Sequence, residues 1–416
     1  MERNVPKLRF KGFNDEWKID KLNENTYIKG RIGWKNLKQE EYTLKGPYLI
    51  AGKHINEGII NWDKCDHISE ERYEESMEIA LKDDDIIFSK DGSIGNPALI
   101  QNLKVKATIN GTMMLIRLDQ NEYEPSYFYQ ILKSEYFEKL IRNVKSGSSI
   151  PHIFQRDMIE FKFPVPGTLQ EQKRIANFLT KVDKIIEKQE EKVKNLENYK
   201  KGMMQKIFSQ EIRFKDENGE EYPDWEEKKL GELDIKLTRG PFGSDLKKED
   251  MVQKNTDTYK VYEQKHAINK NCKLGTYYIN REKYLKLKRF EVKVGDFIMS
   301  CSGTIGEIYK IPDDAEKGII NQALLKIEVQ KSINENYFLY CFRENLNKLE
   351  VKGSGIKNIT SVKFLKEEFT LQVPFIEEQK KISDFLSNID NIILNENNKL
   401  EELKQWKKGL LQQMFI

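Results

Sequence analysis

Glu171–Phe208 (EQKRIANFLTKVDKIIEKQEEKVKNLENYKKGMMQKIF) and Glu378–Phe415 (EQKKISDFLSNIDNIILNENNKLEELKQWKKGLLQQMF) are one long segment written twice, aligned without a gap at a constant offset of 207 residues. A repeat of this length fixes architecture before any single residue is weighed. Apolar residues recur in alternating steps of four and three. In the first copy they are Ile175, Leu179, Val182, Ile186, Val193, Leu196, Met203 and Ile207; in the second, Ile382, Leu386, Ile389, Ile393, Leu400, Leu403, Leu410 and Met414. That is the seam of a coiled coil. Polar residues interrupt both seams at matched positions, Gln189 with Glu396 and Lys200 with Lys407. Such residues can fix register, though they cost stability. Pro166 and Pro374 stop either helix from starting earlier. Alone, a helix of roughly 57 Å at about 1.5 Å per residue would expose its seam. The two copies are therefore expected to pack antiparallel about an approximate two-fold axis, with a globule at each end.

The segments before each helix repeat more loosely. Arg9-Phe10 matches Arg213-Phe214, and Trp17 matches Trp225. Lys53-His54 pairs with Lys265-His266, ISEERY (68–73) with INREKY (279–284), and DDIIFSKDGSIG ending at Gly95 with GDFIMSCSGTIG ending at Gly306. Asn110 pairs with Asn321, and GSSIPHI from Gly147 with GSGIKNI from Gly353. Short apolar or alternating runs bounded by Gly and Asn predict strands and turns. Tyr127–Phe137 and Tyr337–Leu349 predict short helices. The fold class is α+β: two mostly-β globules with short helices and two long helices, at 1–170, 171–208, 209–377 and 378–416. Between Lys29 and Asp66, and from Arg239 onward, the copies agree only at scattered points, whereas the helices agree closely. Divergent globules on a shared spacer suit two heads that read different things.

Length leaves room for two cores of ordinary size. Net charge is only +3, so no polybasic tail announces nucleic acid, but charge is patchy: 281–293 is strongly basic and 70–78 acidic. Cys65, Cys272, Cys301 and Cys341 are scattered without a CxxC pair. That usage predicts a reduced, cytoplasmic protein without structural zinc. No run reaches the length of a membrane span, and the polar, charged Met1–Trp17 does not read as a signal peptide, so no membrane association is expected.

Candidate contact residues sit in the matched turns. Gly30-Arg31-Ile32-Gly33-Trp34 and Gly240-Pro241-Phe242-Gly243-Ser244 are flanked by Lys29, Lys35, Arg239, Lys247 and Lys248. Paired glycines let a backbone approach a partner closely, and the Arg, Lys and aromatic neighbours supply phosphate contacts and apolar edges. Ser89, Lys90 and Ser93, with Ser300, Ser302 and Thr304, follow a buried strand and offer small polar groups to phosphates or base edges. Ser148, Ser149 and His152, with Ser354, Lys357 and Asn358, extend the set, as do Lys53, His54, Lys265, His266, Asn110 and Asn321. Each of these is equally a strand-connecting turn with a solvated basic rim; recurrence in both halves favours the binding reading. Asp83-Asp84-Asp85 reads as a solvated turn rather than a cation site. No catalytic constellation emerges. Asn96-Pro97-Ala98-Leu99 lacks the second proline and the aromatic that an amino-methyltransferase needs, and no phosphate-binding glycine motif is present. The acidic 223–228 segment is too compact for a nuclease centre.

Taken in order and in duplicate, the PKLRF and YPDW lead-ins, the D-I-I-F-S-x-x-G-S-I-G turn, GSSIPHI, the P-x-x-x-x-EQ-x-x-I helix start and the K-K-G-x-x-Q helix end resemble the specificity subunit (HsdS) of type I restriction-modification systems. The resemblance covers essentially the whole chain. It implies two target recognition domains, each reading one half of an asymmetric, interrupted double-stranded DNA sequence. It implies helices that set the gap and dock two methylation subunits (HsdM), which carry S-adenosylmethionine and the N6-adenine chemistry. Restriction subunits (HsdR), with ATP and Mg2+, join the full complex. The chain itself is expected to be non-catalytic, with no cofactor or metal of its own. The alternatives are a self-contained DNA methyltransferase or nuclease, and a coiled-coil scaffold that binds only protein.

Overall fold

The computed structural model describes residues 5–30, 37–146, 151–330, 333–351 and 361–415. The chain forms two compact units, Met1–Lys192 with Asn397–Ile416, and Val193–Glu396. Both long helices are continuous, Leu169–Phe208 (the central helix) and Ile376–Met414 (the C-terminal helix). Each unit thus takes the start of one long helix and the end of the other.

The units share three kinds of sheet, although the one with a parallel pairing has three strands in the first unit, beside a separate pair Ile55–Asn56 with Ile59–Ile60, and four in the second. In the first, a four-stranded antiparallel sheet runs in the order Tyr27–Gly30, Met113–Arg117, Ile86–Ser89, Gly95–Leu99. In the second the order is Ile235–Arg239, Leu324–Val329, Phe297–Ser300, Ile308–Lys310. A second sheet contains one parallel pairing in each unit, Thr43–Ile50 with Ala107–Ile109 and Thr258–Tyr262 with Gly318–Ile320. A two-strand ribbon ties each lead-in to the segment before the long helix, Lys18–Asp20 with Phe163–Val165 and Glu226–Lys229 with Thr370–Val373.

The apolar runs follow from burial on both faces of the four-stranded sheet. Ile86, Phe88, Met114 and Ile116 face one apolar cluster, while Ile87, Met113 and Leu115 face another. The second unit repeats this with Phe297, Met299, Leu325 and Ile327 against Ile298 and Leu324. Side chains alternate along a strand, so covering both faces demands a continuous apolar sequence. The first cluster of each unit also takes in the long helices. Ile175, Leu179, Val182, Ile186, Leu400 and Leu410 are buried in the first unit, and Ile382, Leu386 and Ile389 in the second. Val193 is buried, whereas Leu196, Met203, Ile393 and Leu403 are half-buried.

Two polar clusters fix the helices, and each occurs twice. Glu171 and Glu378, 1% and 0% exposed, lie in the first turn of the two long helices. Arg9 donates to both oxygens of Glu171 (2.7 and 2.8 Å) and the Trp17 indole adds a third bond (3.2 Å). Arg213 donates to both oxygens of Glu378 (3.3 and 2.8 Å), joined by Trp225 (2.9 Å). A bidentate guanidinium is the geometry that compensates a buried carboxylate. The neighbouring Gln172 accepts from Glu124 N and donates to Glu122 O (both 2.9 Å), and Gln379 accepts from Asn334 N (2.8 Å). These contacts explain why Glu-Gln opens both helices.

The second cluster sits along the seam. In the first unit Lys407 pairs with Asp183 and Lys404 with Glu190 (2.7 Å), so rising numbers on one helix face falling numbers on the other. The helices there run antiparallel. In the second unit the repeat-related Lys200 pairs with Asp390. Each aspartate also holds its own globule: Asp183 accepts from Gln130 (2.8 Å) and Lys133 (3.4 Å), and Asp390 from the Tyr340 hydroxyl (2.6 Å). Burial pushes the Asp183 carboxyl up, but Lys133 and Lys407 outweigh it and hold its pKa below the usual value.

The short helices differ from expectation in one respect. Over the expected span the second unit has a single helix, Glu335–Val351, but the first breaks its counterpart into Pro125–Leu132 and Glu135–Ser146. Ser134 sits at the break, its hydroxyl donating to Ile131 O (2.7 Å) and accepting from Tyr136 N (3.3 Å). That hydroxyl competes with the helical ladder for the same backbone groups.

Candidate nucleic-acid interface

Strand register brings the singled-out turns to one end of the four-stranded sheet. In the first unit Gly30 lies opposite Met114, Ser89 opposite Met113 and Gly95 opposite Ser89. Backbone bonds then stitch the turns together: Lys90 N to Thr112 O (2.9 Å), Asn110 N to Ile50 O (2.9 Å), Ile153 N to Lys90 O (3.0 Å). The second unit does the same through Gly240 N to Leu324 O (3.0 Å), Cys301 N to Ala323 O (2.8 Å) and Asn321 N to Tyr262 O (2.9 Å). A Cβ on Gly240 would fall 1.9 Å from Asn321 O, so this close crossing requires glycine.

The candidate residues divide by exposure. Lys29, Lys53, Ser93, Phe242, Ser244, Lys247, Ser302 and Thr304 are exposed, Phe242 at 77%. Asn110, His152, Arg239, Lys265 and Asn321 are half-buried. Arg31, Trp34, Lys35, Ser148, Ser149, Ser354, Lys357 and Asn358 lie outside the described residues. His54, Ser89, Lys90, His266 and Ser300 are buried.

The buried residues hold the turns rather than face solvent. His54 Nδ1 accepts from Ala51 N (3.0 Å). His266 Nδ1 accepts from Glu263 N (2.8 Å) while Nε2–H donates to Leu274 O (2.6 Å). Burial lowers both imidazole pKa values, which keeps the rings neutral as this bonding requires. Ser300 donates to Thr304 O (2.6 Å) and accepts from Glu307 N (3.0 Å), closing its own turn. The Asn110 and Asn321 side chains accept from Thr112 N (3.1 Å) and Ala323 N (3.0 Å), one Asx-turn in each unit. His152 pairs with Asp91 across the turn. Asp85, expected in a solvated turn, is buried instead, with Arg117 donating to both its oxygens (2.7 Å each).

Register also corrects the alignment of the two sheet ends. The sequence pairs Lys29 with Arg239, but Gly30 faces Met114 where Arg239 faces Leu325, the residue after the counterpart of Met113. Arg239 is therefore matched by Gly30. Lys90, matched by Cys301, covers Gly30: its Cδ would lie 3.1 Å from a Cβ there. In the second unit the Arg239 guanidinium lies against the Cys301 thiol, whose pKa burial raises and that cation lowers. A cation thus sits at the same sheet end in both units, reached from opposite strands. Among the described residues no group of His, Cys, Asp and Glu is placed to hold a metal ion. Among the same residues no helix is long and apolar enough to cross a membrane.

The comparisons with known proteins agree with this duplicated geometry. The type I restriction modification DNA specificity domain matches residues 14–198 and again 222–405. The chain is 26% identical over 99% of its length to the putative type I restriction enzyme MjaX specificity subunit of Methanocaldococcus jannaschii, of which 95% is covered. It is 25% identical, over 99% of its length and 94% of the relative, to the MjaVIII specificity subunit of the same organism. In fold it is similar to the type I restriction-modification system S subunit from M. genitalium, with a TM-score of 0.56 at 18% identity and 99% of each chain covered. Two matches to one domain, each running from a lead-in through a globule into a long helix, make this chain a member of the type I restriction-modification DNA specificity family, with two DNA specificity domains.

Proposed function

We propose that residues 1–170 and 209–377 are two target recognition domains that each read one half of an interrupted double-stranded DNA sequence. Residues 171–208 and 378–416 then set the unread gap and dock two methylation subunits. The observation that carries this reading is the convergence, in both units, of an Asx-turn, hydroxyl side chains and a cation on one sheet end. Exposed Lys29, Lys53 and Lys247 suit phosphates, and Ser93, Ser302 and Thr304 suit phosphates or base edges. Such contacts position a protein on DNA, and a few polar side chains within them give sequence preference. The chemistry belongs to the partners: S-adenosylmethionine on the methylation subunits, with ATP and Mg2+ on restriction subunits in the larger complex. The target adenine is flipped into a methylation subunit and not into this chain.

Single-molecule sequencing of N6-methyladenine tests the reading, in a methylation-free host expressing the chain with and without its cognate methylation subunit. Methylation at one two-part motif is expected only when both are present. Methylation by the chain alone would reveal an enzyme instead, and none with a demonstrably active partner would leave a protein scaffold. One helical turn inserted in one long helix is expected to lengthen the gap while leaving both half-sites unchanged.

A further inference from the structure

Two side chains at the sheet end of the second unit carry polar atoms that are out of water and without a hydrogen-bond partner: Arg239 Nη1 and Gln264 Oε1. Leaving a buried polar atom unpaired costs about 1–3 kcal/mol, so such atoms call for an explanation. These two flank the same turn. Arg239 lies against Cys301 at its start. Gln264 lies beside Gly303, its Nε2 3.6 Å and Oε1 3.9 Å from where a Cβ would stand. Both residues are half-buried, so each keeps one side open at the surface.

The first unit shows what is special about them. The two histidines make the same bond to the backbone three residues before, Ala51 and Glu263. That equivalence matches Gly52 with Gln264, as strand register matches Gly30 with Arg239. Two glycines in one unit therefore stand where the other has an arginine and a glutamine. In the first unit a Cβ at 52 would fall 2.1 Å from Ser89 Oγ, so a larger residue there requires that hydroxyl to turn away. In the second, Ser300 turns its hydroxyl to Thr304 instead and the space is free. Units of one topology thus differ in chemistry at the point where their turns converge.

We propose that Arg239 and Gln264 are specificity-determining residues of the second recognition domain, Arg239 donating to a guanine edge and Gln264 bonding an adenine edge in the major groove. A guanidinium matches guanine O6 and N7, and a carboxamide both donates to adenine N7 and accepts from its N6 amine. The accepting half of that second pair is the atom left unpaired, which meets a base edge once the half-exposed side chain turns it outward. The first domain, with glycines at both places, reads its half-site through other groups, the exposed Lys29 and Ser93 among them.

This inference rests on the recognition reading above, and one experiment separates the two. Gln264→Ala and Arg239→Lys are each expressed with the cognate methylation subunit and the N6-methyladenine motif is mapped beside wild type. Each variant is expected to keep the first half-site and the gap. Discrimination at one position of the second half-site should fall about tenfold or more, the share one bidentate pair carries. Thermal stability should stay at the wild-type value for Gln264→Ala, since no internal hydrogen bond is lost. Gln264→Gly, the residue already present at the matched place, serves as a second variant should the alanine form not fold. An unchanged second half-site in these variants overturns the assignment while leaving the recognition reading intact. Absence of any two-part motif with wild type overturns both.

Discussion

The long helices and the globules they carry have diverged in opposite ways. The helices keep residues: Glu171 and Glu378, Asp183 and Asp390, Lys200 and Lys407 stand at the same offset and make the same bonds. The globules keep strand order and change residues, down to glycines facing an arginine and a glutamine. The difference follows from what each must satisfy. A buried carboxylate tolerates few partners, whereas a sheet covered on both faces asks only for apolar residues of about the right size. Strong polar constraint preserves identity; apolar constraint preserves pattern and frees the turns to vary.

The largest test strikes the most constrained pair. Glu171→Ala or Glu378→Ala leaves a guanidinium and an indole N–H facing an empty acceptor. Removing one partner of a buried ion pair costs about 3–5 kcal/mol. The lower end is expected, because Arg9 and Arg213 keep some contact with water. Urea unfolding should show similar losses for the two variants. Unequal losses would mean that the clamps are alike in geometry but not in energy.

The seam aspartates should behave less equally. The Asp183 side chain is 14% exposed and bonds Gln130, Lys133 and Lys407; that of Asp390 is 40% exposed. Asp183→Asn is expected to cost about 2 kcal/mol, in the range for hydrogen bonds to a charged group. Asp390→Asn should cost about 1 kcal/mol or less, because solvent screens the exposed pair. A larger loss for Asp390→Asn would break the argument that burial ranks the two sites.

Such asymmetries mark the limit of what the sequence makes legible. Heptad spacing gives both helices and most buried seam residues, because a 3.5-residue period is a local property. Matching Arg9 with Arg213 and Trp17 with Trp225 finds two members of each clamp, since repetition picks them out before their partner is visible. Gln264 escapes because its matched residue is Gly52, which a search for shared residues passes over. Arg239 is aligned one place off, because strand pairing and not spacing sets which residue faces Leu325. The burial of His54, Ser89, Lys90, His266 and Ser300 depends on neighbours distant in sequence, so polarity alone places them wrongly at the surface.

The buried histidines give the smallest effect and the finest comparison. Burial lowers both pKa values below the ordinary value of about 6.5, so the unfolded chain binds the proton more readily than the folded one. The stability linked to the neutral rings is therefore fully present above about pH 6.5 and is lost as pH falls through the folded values. Urea unfolding between pH 8 and 5.5 should show that decline, and the combined variant His54→Asn with His266→Asn should flatten it. The single variants should separate at pH 8. His266 bonds the backbone through both ring nitrogens, whereas His54 Nε2 makes no hydrogen bond and stands 3.6 Å from Asp66. His266→Asn leaves the Leu274 carbonyl unpaired and should cost about 1 kcal/mol more than His54→Asn. Equal costs would mean that the bond to Leu274 contributes nothing, and that the two turns rest on the shared backbone contact alone.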